Sequence, residues 1–501
     1  MLSLAGTAAC GRTLDGANHR IVGDTVQDCA SGGDCGDAAP DDATSGDDAS
    51  ADDADAAPLP VPGVDGALDA SAFGTLCPQA GSAGALDVWR DQLGSYTLAD
   101  RGRILDCVHL ATYSQSQVAA GPYFSAQAKP TNGYELYVVQ YVSESPPGTA
   151  KSVTGLVYAP NGGGTSIPIA AVDHEATGMG PSCGPSHDPA LIDGLAVPLV
   201  GRGYAVVATD YAGMGVDNGM TSMLVGTSEA ASTLDGVRAL LRFHERRFDA
   251  SQLSTELFAV GYSQGGHAAL FTHQLFDPSI GVRLLGSVAF APGLGNAQDW
   301  SASFNAPSQP LPALGPYVAM SLYSHMLSAD KPDLGTWLTP AAVNSLPAMF
   351  HDHCTDTIPA TLATLFPTQG DLYTSSFTSA AAACSFGSGS LNDVQGTNCP
   401  AFEPWASWFT AEQPGNFASS APVLLLQGAS DPLVLPADTR CILDRLQSNG
   451  TAAQACAYAG LDHLSIVSGA LPDAIRWMAA RRTGETPSVC SATITDTCTL
   501  P

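Results

Sequence analysis

The stretch Leu257–Leu270, LFAVGYSQGGHAAL, constrains the fold more than any other part of the chain. An apolar, strand-like run enters Gly261-Tyr262-Ser263-Gln264-Gly265, and a run of small residues with helical character leaves it. A strand that passes into a helix across so sharp a turn needs small neighbours, so that the backbone can bend and the helix can approach adjacent strands. Gly261, Gly265, Gly266, Ala268 and Ala269 supply that space. A second GxSxG, Gly180 to Gly184, has Pro181 ahead of Ser182 and Pro185 soon after, with no strand entering directly and no helix leaving. The context makes Ser263 the candidate nucleophile and Ser182 a turn residue.

Around this turn, short apolar runs alternate with helical stretches: Ile167–Val172, Ala205–Thr209, a helix over Ser228–Arg247, Leu257–Val260, a second helix, Leu285–Phe290 and, much later, Val423–Leu426. Continuous Val, Leu and Ala runs interleaved with helices predict parallel strands covered on both faces. Ahead of them, Tyr134–Ser143 and Val153–Tyr158, joined through Pro-Pro-Gly, predict an antiparallel hairpin. Cys77 and Cys107 bracket a weakly helical prelude through Trp89 and Ile104, which a bond between them would staple. Between Phe290 and Val423 lie roughly 130 residues without βα alternation, far beyond an ordinary connection, which predicts an inserted, mostly helical cap. The expected class is α/β, a doubly wound, mainly parallel sheet. Its expected divisions are an N-terminal tether over 1–60, core over 61–300, cap over 301–410 and core again over 411–501.

The net charge of −29 is unevenly spread: Ile21 to Trp89 contains fourteen Asp and no Lys or Arg. Nucleic acids and anionic lipid surfaces need basic patches to replace released counterions, so neither is an expected partner. Gly32–Pro60, almost wholly Asp, Ala, Gly, Ser and Pro, cannot bury enough apolar surface to offset chain entropy and reads as a solvated tether. The apolar stub Met1–Ala9 ends at Cys10 and resembles the tail of a bacterial lipoprotein signal, which implies lipid anchoring through Cys10. It departs from that signal in lacking a basic residue and in carrying Thr7. The thirteen cysteines are not arranged as CxxC pairs, which points to disulfides in an oxidising compartment.

A serine hydroxyl is a poor nucleophile until a histidine takes its proton and an acid orients that histidine. In a sheet of this kind the order is Ser, acid, His. Asp431 follows the strand-like APVLLLQG, at the carboxyl end of a strand where sites assemble, and His463 is the last histidine of the chain. Asp462 is the competing acid, although sequence neighbours rarely direct their side chains at one another. Backbone donors for a developing oxyanion are expected from Gln264, directly after the nucleophile, and from the loop after Ile167–Val172, with Ala176 first and Glu175 second. His351, Asp352, His353 and Cys354 form HDHC, a weak zinc pattern without a partner cluster; no metal or cofactor is expected.

These residues resemble the secretory lipase family, the fungal lipase A type and its bacterial relatives, over about Gly133 to Cys490. Bacterial members carry a stretch like HGTTG and then CAPS; this chain has HEATG from His174 and CGPS from Cys183, departing at Glu175 and Ala176. Further likeness lies in GYAVVATDYAGMG from Gly203, LDGVRAL from Leu234, GYSQGGHAA from Gly261 and DHLSIVSGALPDAIRWM from Asp462. The resemblance implies an α/β-hydrolase with a large helical cap that acts on lipids or simpler carboxylic esters without a cofactor. It implies disulfides Cys183–Cys354 and Cys441–Cys490, with Cys456 and Cys498 competing for the latter.

The function expected is a secreted or surface-tethered serine ester hydrolase, acting as a monomer. A peptidase or amidase on the same triad, or a non-catalytic adhesion protein on the same fold, are the alternatives. Cap residues Leu311, Leu314, Tyr317, Met320, Leu322, Met326, Trp337, Leu338, Met349, Phe350 and Phe366 are expected either to line an acyl tunnel or to fill a core of the cap's own.

Overall fold

The computed structural model describes residues 77–498, apart from 82–86, 92–95, 125–128, 147, 162–165, 248–252, 294–299, 330–332, 384–401, 486 and 488, together with three short strands before residue 29. The chain divides into two compact units, 1–60 and 61–501. In the first, strands β1 (Cys10–Arg12), β2 (Asn18–Val22) and β3 (Thr25–Asp28) pair antiparallel in the order β1-β2-β3. The stub 1–9 and the acidic tether 32–60 lie outside the described residues.

The second unit is built on nine described strands: β4 (Ile104–Tyr113), β5 (Tyr134–Ser145), β6 (Thr149–Pro160), β7 (Ile167–Asp173), β8 (Ala205–Thr209), β9 (Leu253–Tyr262), β10 (Arg283–Phe290), β11 (Val423–Gly428) and β12 (Ala453–Tyr458). Their spatial order is β12-β11-β10-β9-β7-β8-β6-β5-β4. The pairs from β12 across to β8 are parallel. Those from β8 to β4 are antiparallel. Every residue of β7, β8 and β11 is buried, as strands covered on both faces require. Helices Ala190–Val200 and Ile466–Arg482 cover one face; Gly226–Arg247, Gln264–Gln274 and Pro436–Ser448 cover the other. This is the α/β-hydrolase arrangement with a helical insertion.

Two edges differ from the sequence expectation. Of the weakly helical prelude between Cys77 and Cys107, the described residues form turns and one short 3-10 helix, Leu98–Asp100, and its end from Ile104 is strand β4, because Val108 and Cys107 pack on β5 and the ladder from Ile104 to Tyr113 satisfies its backbone along that edge. Cys77 and Cys107 do form a disulfide. The other edge strand, β12, reads AQACAY and was not anticipated from its weak apolar pattern.

The expected Cys441–Cys490 bond is not formed. Cys441 pairs with Cys498 and Cys456 with Cys490. The physical reason is the path of the C-terminal segment, which runs antiparallel along β12: Ala457 N–H donates to Ala492 O, and Cys456 bridges Thr493. Cys490 therefore passes Cys456 first, and the chain continues to Cys441 on the helix Pro436–Ser448. The fourth disulfide among the described residues is Cys183–Cys354.

Between β10 and β11 the described α-helices are Gly315–Ser328, Pro340–Asp352, Ile358–Leu365, Gln369–Leu372, Ser375–Ala383 and Trp405–Ala411, joined by turns and loops. They enclose an aromatic core in which Phe377 contacts Phe304, Trp337, Tyr373, Phe402 and Trp405.

Candidate active site

Strand β9 ends at Tyr262 and the helix Gln264–Gln274 begins at Gln264, which leaves Ser263 alone to turn the chain. Ser263 adopts φ 55° and ψ −117°, a conformation that costs on the order of 1–3 kcal/mol for a non-glycine residue. Surrounding hydrogen bonds hold it there: Ser263 N–H donates to Phe290 O at 2.9 Å, and Gly293 N–H donates to Ser263 O at 2.7 Å. A Cβ at Gly261 would collide with Gly265 O, and one at Gly265 with Asp173 O, so the glycines of the motif are required by close backbone approach.

His463 lies in the loop between β12 and the helix Ile466–Arg482, and Asp431 just after β11. Asp431 Oδ2 accepts from His463 Nδ1 at 2.7 Å, and the other ring nitrogen, Nε2, lies 3.0 Å from Ser263 Oγ. Because a carboxylate only accepts, Nδ1 carries the hydrogen and Nε2 is left to receive the serine proton. Asp431 is fully buried at its side chain yet well satisfied: Oδ1 accepts from Leu433 and Val434 N–H, both at 2.9 Å, and Oδ2 from Gln427 Nε2 at 3.2 Å. Asp462 is exposed and turned away, its carboxylate accepting from Ser465, which holds it below the usual carboxylate range. Ser182 sits in a short 3-10 turn and not at a strand–helix junction.

Glu175, Ala176 and Gln264 border the same cavity as Ser263 and His463. Gln264 is the first helical residue after Ser263, where backbone N–H groups have no intrahelical acceptor. The 174–178 loop is braced from the cap: Thr355 N–H donates to Thr177 O, Thr355 Oγ1 donates to Ala176 O, and Gly178 bridges Cys354, which is bonded to Cys183. That disulfide consumes the cysteine of the HDHC pattern, while His351 pairs with Asp352 and Asp217.

The cavity measures about 310 Å³ and is walled by Met223, Leu224, Trp300, Leu314, Tyr317, Val318, Leu433, Val434 and Leu464. Of the cap residues expected as tunnel lining or core, Leu314 and Tyr317 face it. Met320, Leu322, Met326, Trp337, Leu338, Met349, Phe350 and Phe366 are buried in the cap's own core, with Leu311 packed against it.

Behind the turn lies a buried polar network. Glu229 accepts from Gln264 Nε2 at 2.8 Å, from Leu224 N–H at 2.9 Å and from His267 Nδ1 at 2.8 Å. His267 Nε2 faces Glu412 O at 2.9 Å. Both ring nitrogens of His267 meet acceptors, which requires the imidazolium. Burial alone would lower its pKa, but the Glu229 carboxylate outweighs burial and raises it. No motif marked Glu229, Glu412 or Thr355 beforehand, and Tyr262 stood only as a variable position of the GxSxG turn.

The secretory lipase family model matches residues 192–292. The rice cell wall degrading esterase LipA from Xanthomonas oryzae is similar in structure, with a TM-score of 0.60 at 18% identity over 76% of this chain and 98% of that one. Candida antarctica lipase A gives 0.57 at 16% identity, over 80% and 87%. Compared with curated protein sequences, the chain matches none. The chain thus carries the α/β-hydrolase fold and, over residues 192–292, the sequence character of the secretory lipase family.

Proposed function

We propose that this chain is a serine carboxylic ester hydrolase of the lipase or esterase kind. The observation that carries the reading is the hydrogen-bonded series Asp431–His463–Ser263, with its serine on a strained turn that opens into an apolar cavity. Ser263 Oγ attacks the ester carbonyl as His463 Nε2 takes its proton, and Asp431 holds the resulting imidazolium. The N–H groups of Gln264 and of Ala176 or Glu175 stabilise the oxyanion. Collapse expels the alcohol, which takes the proton from His463; water then enters, activated by His463, and releases the acid from Ser263. Every step uses groups of the chain, so no cofactor is invoked.

The four disulfides among the described residues fit an oxidising compartment outside the cytoplasm, and tethering through Cys10 is compatible with that location. Among the described residues no helix is long and apolar enough to cross a membrane. The decisive experiment treats the protein with a p-nitrophenyl phosphonate and maps the adduct by peptide mass. Label on Ser263, with a burst of p-nitrophenol from ester substrates and no turnover of aminoacyl anilides, is the expected result. Label elsewhere, or anilide cleavage exceeding ester cleavage, overturns it.

A further inference from the structure

Glu175 is the anomaly of the cavity. It borders the space that holds Ser263, Gln264 and His463, and the rest of the wall is apolar or phenolic apart from Thr355. Among the described residues no side-chain donor stands at hydrogen-bond distance from its carboxyl. Burial pushes that carboxyl above the usual range, and the hydrogen bond from its own backbone N–H and the nearby His463 pull it back only in part. Its charge is close enough to raise the phenols of Tyr262 and Tyr317, though burial is the larger cause for both.

A carboxyl has two oxygens with several acceptor sites, and one whose donor is only its own backbone N–H is left under-satisfied in an apolar pocket, at a cost in free energy. A pocket built only for alkyl chains has no use for it, whereas a pocket built for a polar ligand recovers that cost when a donor arrives. The backbone places the donor, because Glu175 adjoins Ala176, whose N–H is the first-choice oxyanion contact. Glu175 shares the cavity with Ser263 and lies close enough to His463 to feel its charge, which places its ligand on the part of the substrate near the scissile carbonyl.

Resting on the ester-hydrolase reading above, we infer that Glu175 is a specificity residue that accepts a hydrogen bond from a hydroxyl on the acyl group, so that the preferred substrates are hydroxyacyl esters. The alkyl remainder of such an acyl group packs against Leu314, Val318 and Leu224. A cation is the less fitting occupant, since the remaining wall offers no second acidic side chain.

The test compares p-nitrophenyl 2-hydroxybutyrate and 3-hydroxybutyrate with plain butyrate, in the wild type and in Glu175→Leu and Glu175→Gln. The quantity read is the hydroxyacyl-to-alkyl ratio of kcat/KM within one protein, so any general loss of activity cancels. The wild type should favour one hydroxybutyrate about tenfold, the size of one hydrogen bond to a charged or partly charged group. Glu175→Leu should bring that ratio to about one, and Glu175→Gln, whose amide oxygen still accepts, should keep part of it. A wild-type ratio near one for both hydroxy esters, or a preference unchanged in Glu175→Leu, overturns the inference and leaves the triad reading standing. A wild type that turns over no ester and takes no phosphonate on Ser263 overturns both.

Discussion

Tyr262 donates its hydroxyl to the backbone carbonyl of His463 at 2.7 Å, and its ring lies against the imidazole with centroids 5.1 Å apart. The residue before the candidate nucleophile therefore fixes the loop that carries the candidate base, across 201 positions of sequence. Tyr262→Phe removes the donor and leaves a buried carbonyl unsatisfied, at a cost of about 1–3 kcal/mol. We expect kcat for p-nitrophenyl butyrate to fall several-fold with KM little changed, since substrate contacts survive and only the Nε2 position loosens. An unchanged kcat would mean that the loop is held by other contacts alone.

Asp431 and Asp462 separate by function. Asp431→Asn leaves the volume but offers an amide that can donate, so the His463 tautomer reverses; by analogy with other triads kcat should fall by roughly 10⁴. Asp462→Asn should affect only the turn that Ser465 caps, lowering stability by under about 1 kcal/mol. Steady-state rates on both variants, with folding checked by circular dichroism, decide between them; the opposite ranking would reassign the acid.

The Cys183–Cys354 disulfide joins the loop behind the candidate oxyanion donors to the cap across a separation of 171 residues. Chain-entropy reasoning gives such a loop up to about 5 kcal/mol of stabilisation. The double variant Cys183→Ser/Cys354→Ser should melt earlier. It should also lose activity at temperatures where it is still folded, because Thr355 then no longer holds Ala176 and Thr177 in register. Activity loss that coincides with melting would show the bond to serve stability only.

The candidate triad was legible as a grouping of residues because its requirements are local. Ser263 needs glycines at fixed offsets, Asp431 needs the end of an apolar strand, and His463 needs only to come last. The parallel strands announced themselves through unbroken apolar runs such as AVVAT and VLLLQG. Edge strands β4 and β12 did not, since their pairing partners, not their own patterns, make them strands. The exchange among Cys441, Cys456, Cys490 and Cys498 depended on the antiparallel path of 490–494 along β12, a tertiary fact with no signal in spacing. Glu229, in a helix, and Glu412, at the end of one, were invisible for a similar reason: a charge there reads as solvated until its neighbours are known.

Glu412 gives a pH prediction. Burial lifts its carboxyl from an ordinary 4.5 to about 7, against the pull of His267 and of the Gly226 N–H that it accepts at 2.7 Å. Between those values the folded protein holds a proton that the unfolded chain has released, so stability falls as pH rises through the window, by roughly 3 kcal/mol for this group. His267 acts with the same sign. Its raised folded pKa contributes stability that is complete below 6.5 and is lost as pH rises through the folded value. Urea unfolding at pH 5 and pH 8 should show a clear loss in the wild type and a smaller one in Glu412→Gln. Equal losses in the two proteins would remove Glu412 as the source.

The cavity sets the last prediction. Its 310 Å³ are walled mainly by side chains that cannot hydrogen-bond, with Leu314, Tyr317 and Val318 contributed by the cap helix Gly315–Ser328 and the residue before it. Each methylene moved from water to such a wall gains about 0.8 kcal/mol, so two carbons of acyl chain should raise kcat/KM several-fold until the space is full. For unsubstituted p-nitrophenyl esters the series should climb from acetate through butyrate and flatten at medium length. Leu314 is only partly buried, at the edge of the cap's core, and a larger side chain there projects into the cavity without displacing that core. Leu314→Trp should therefore move the optimum to shorter acyl groups while leaving acetate nearly unaffected. A wild-type series that peaks at acetate, or a Leu314→Trp profile identical to the wild type, would show that acyl chains lie elsewhere than in this cavity.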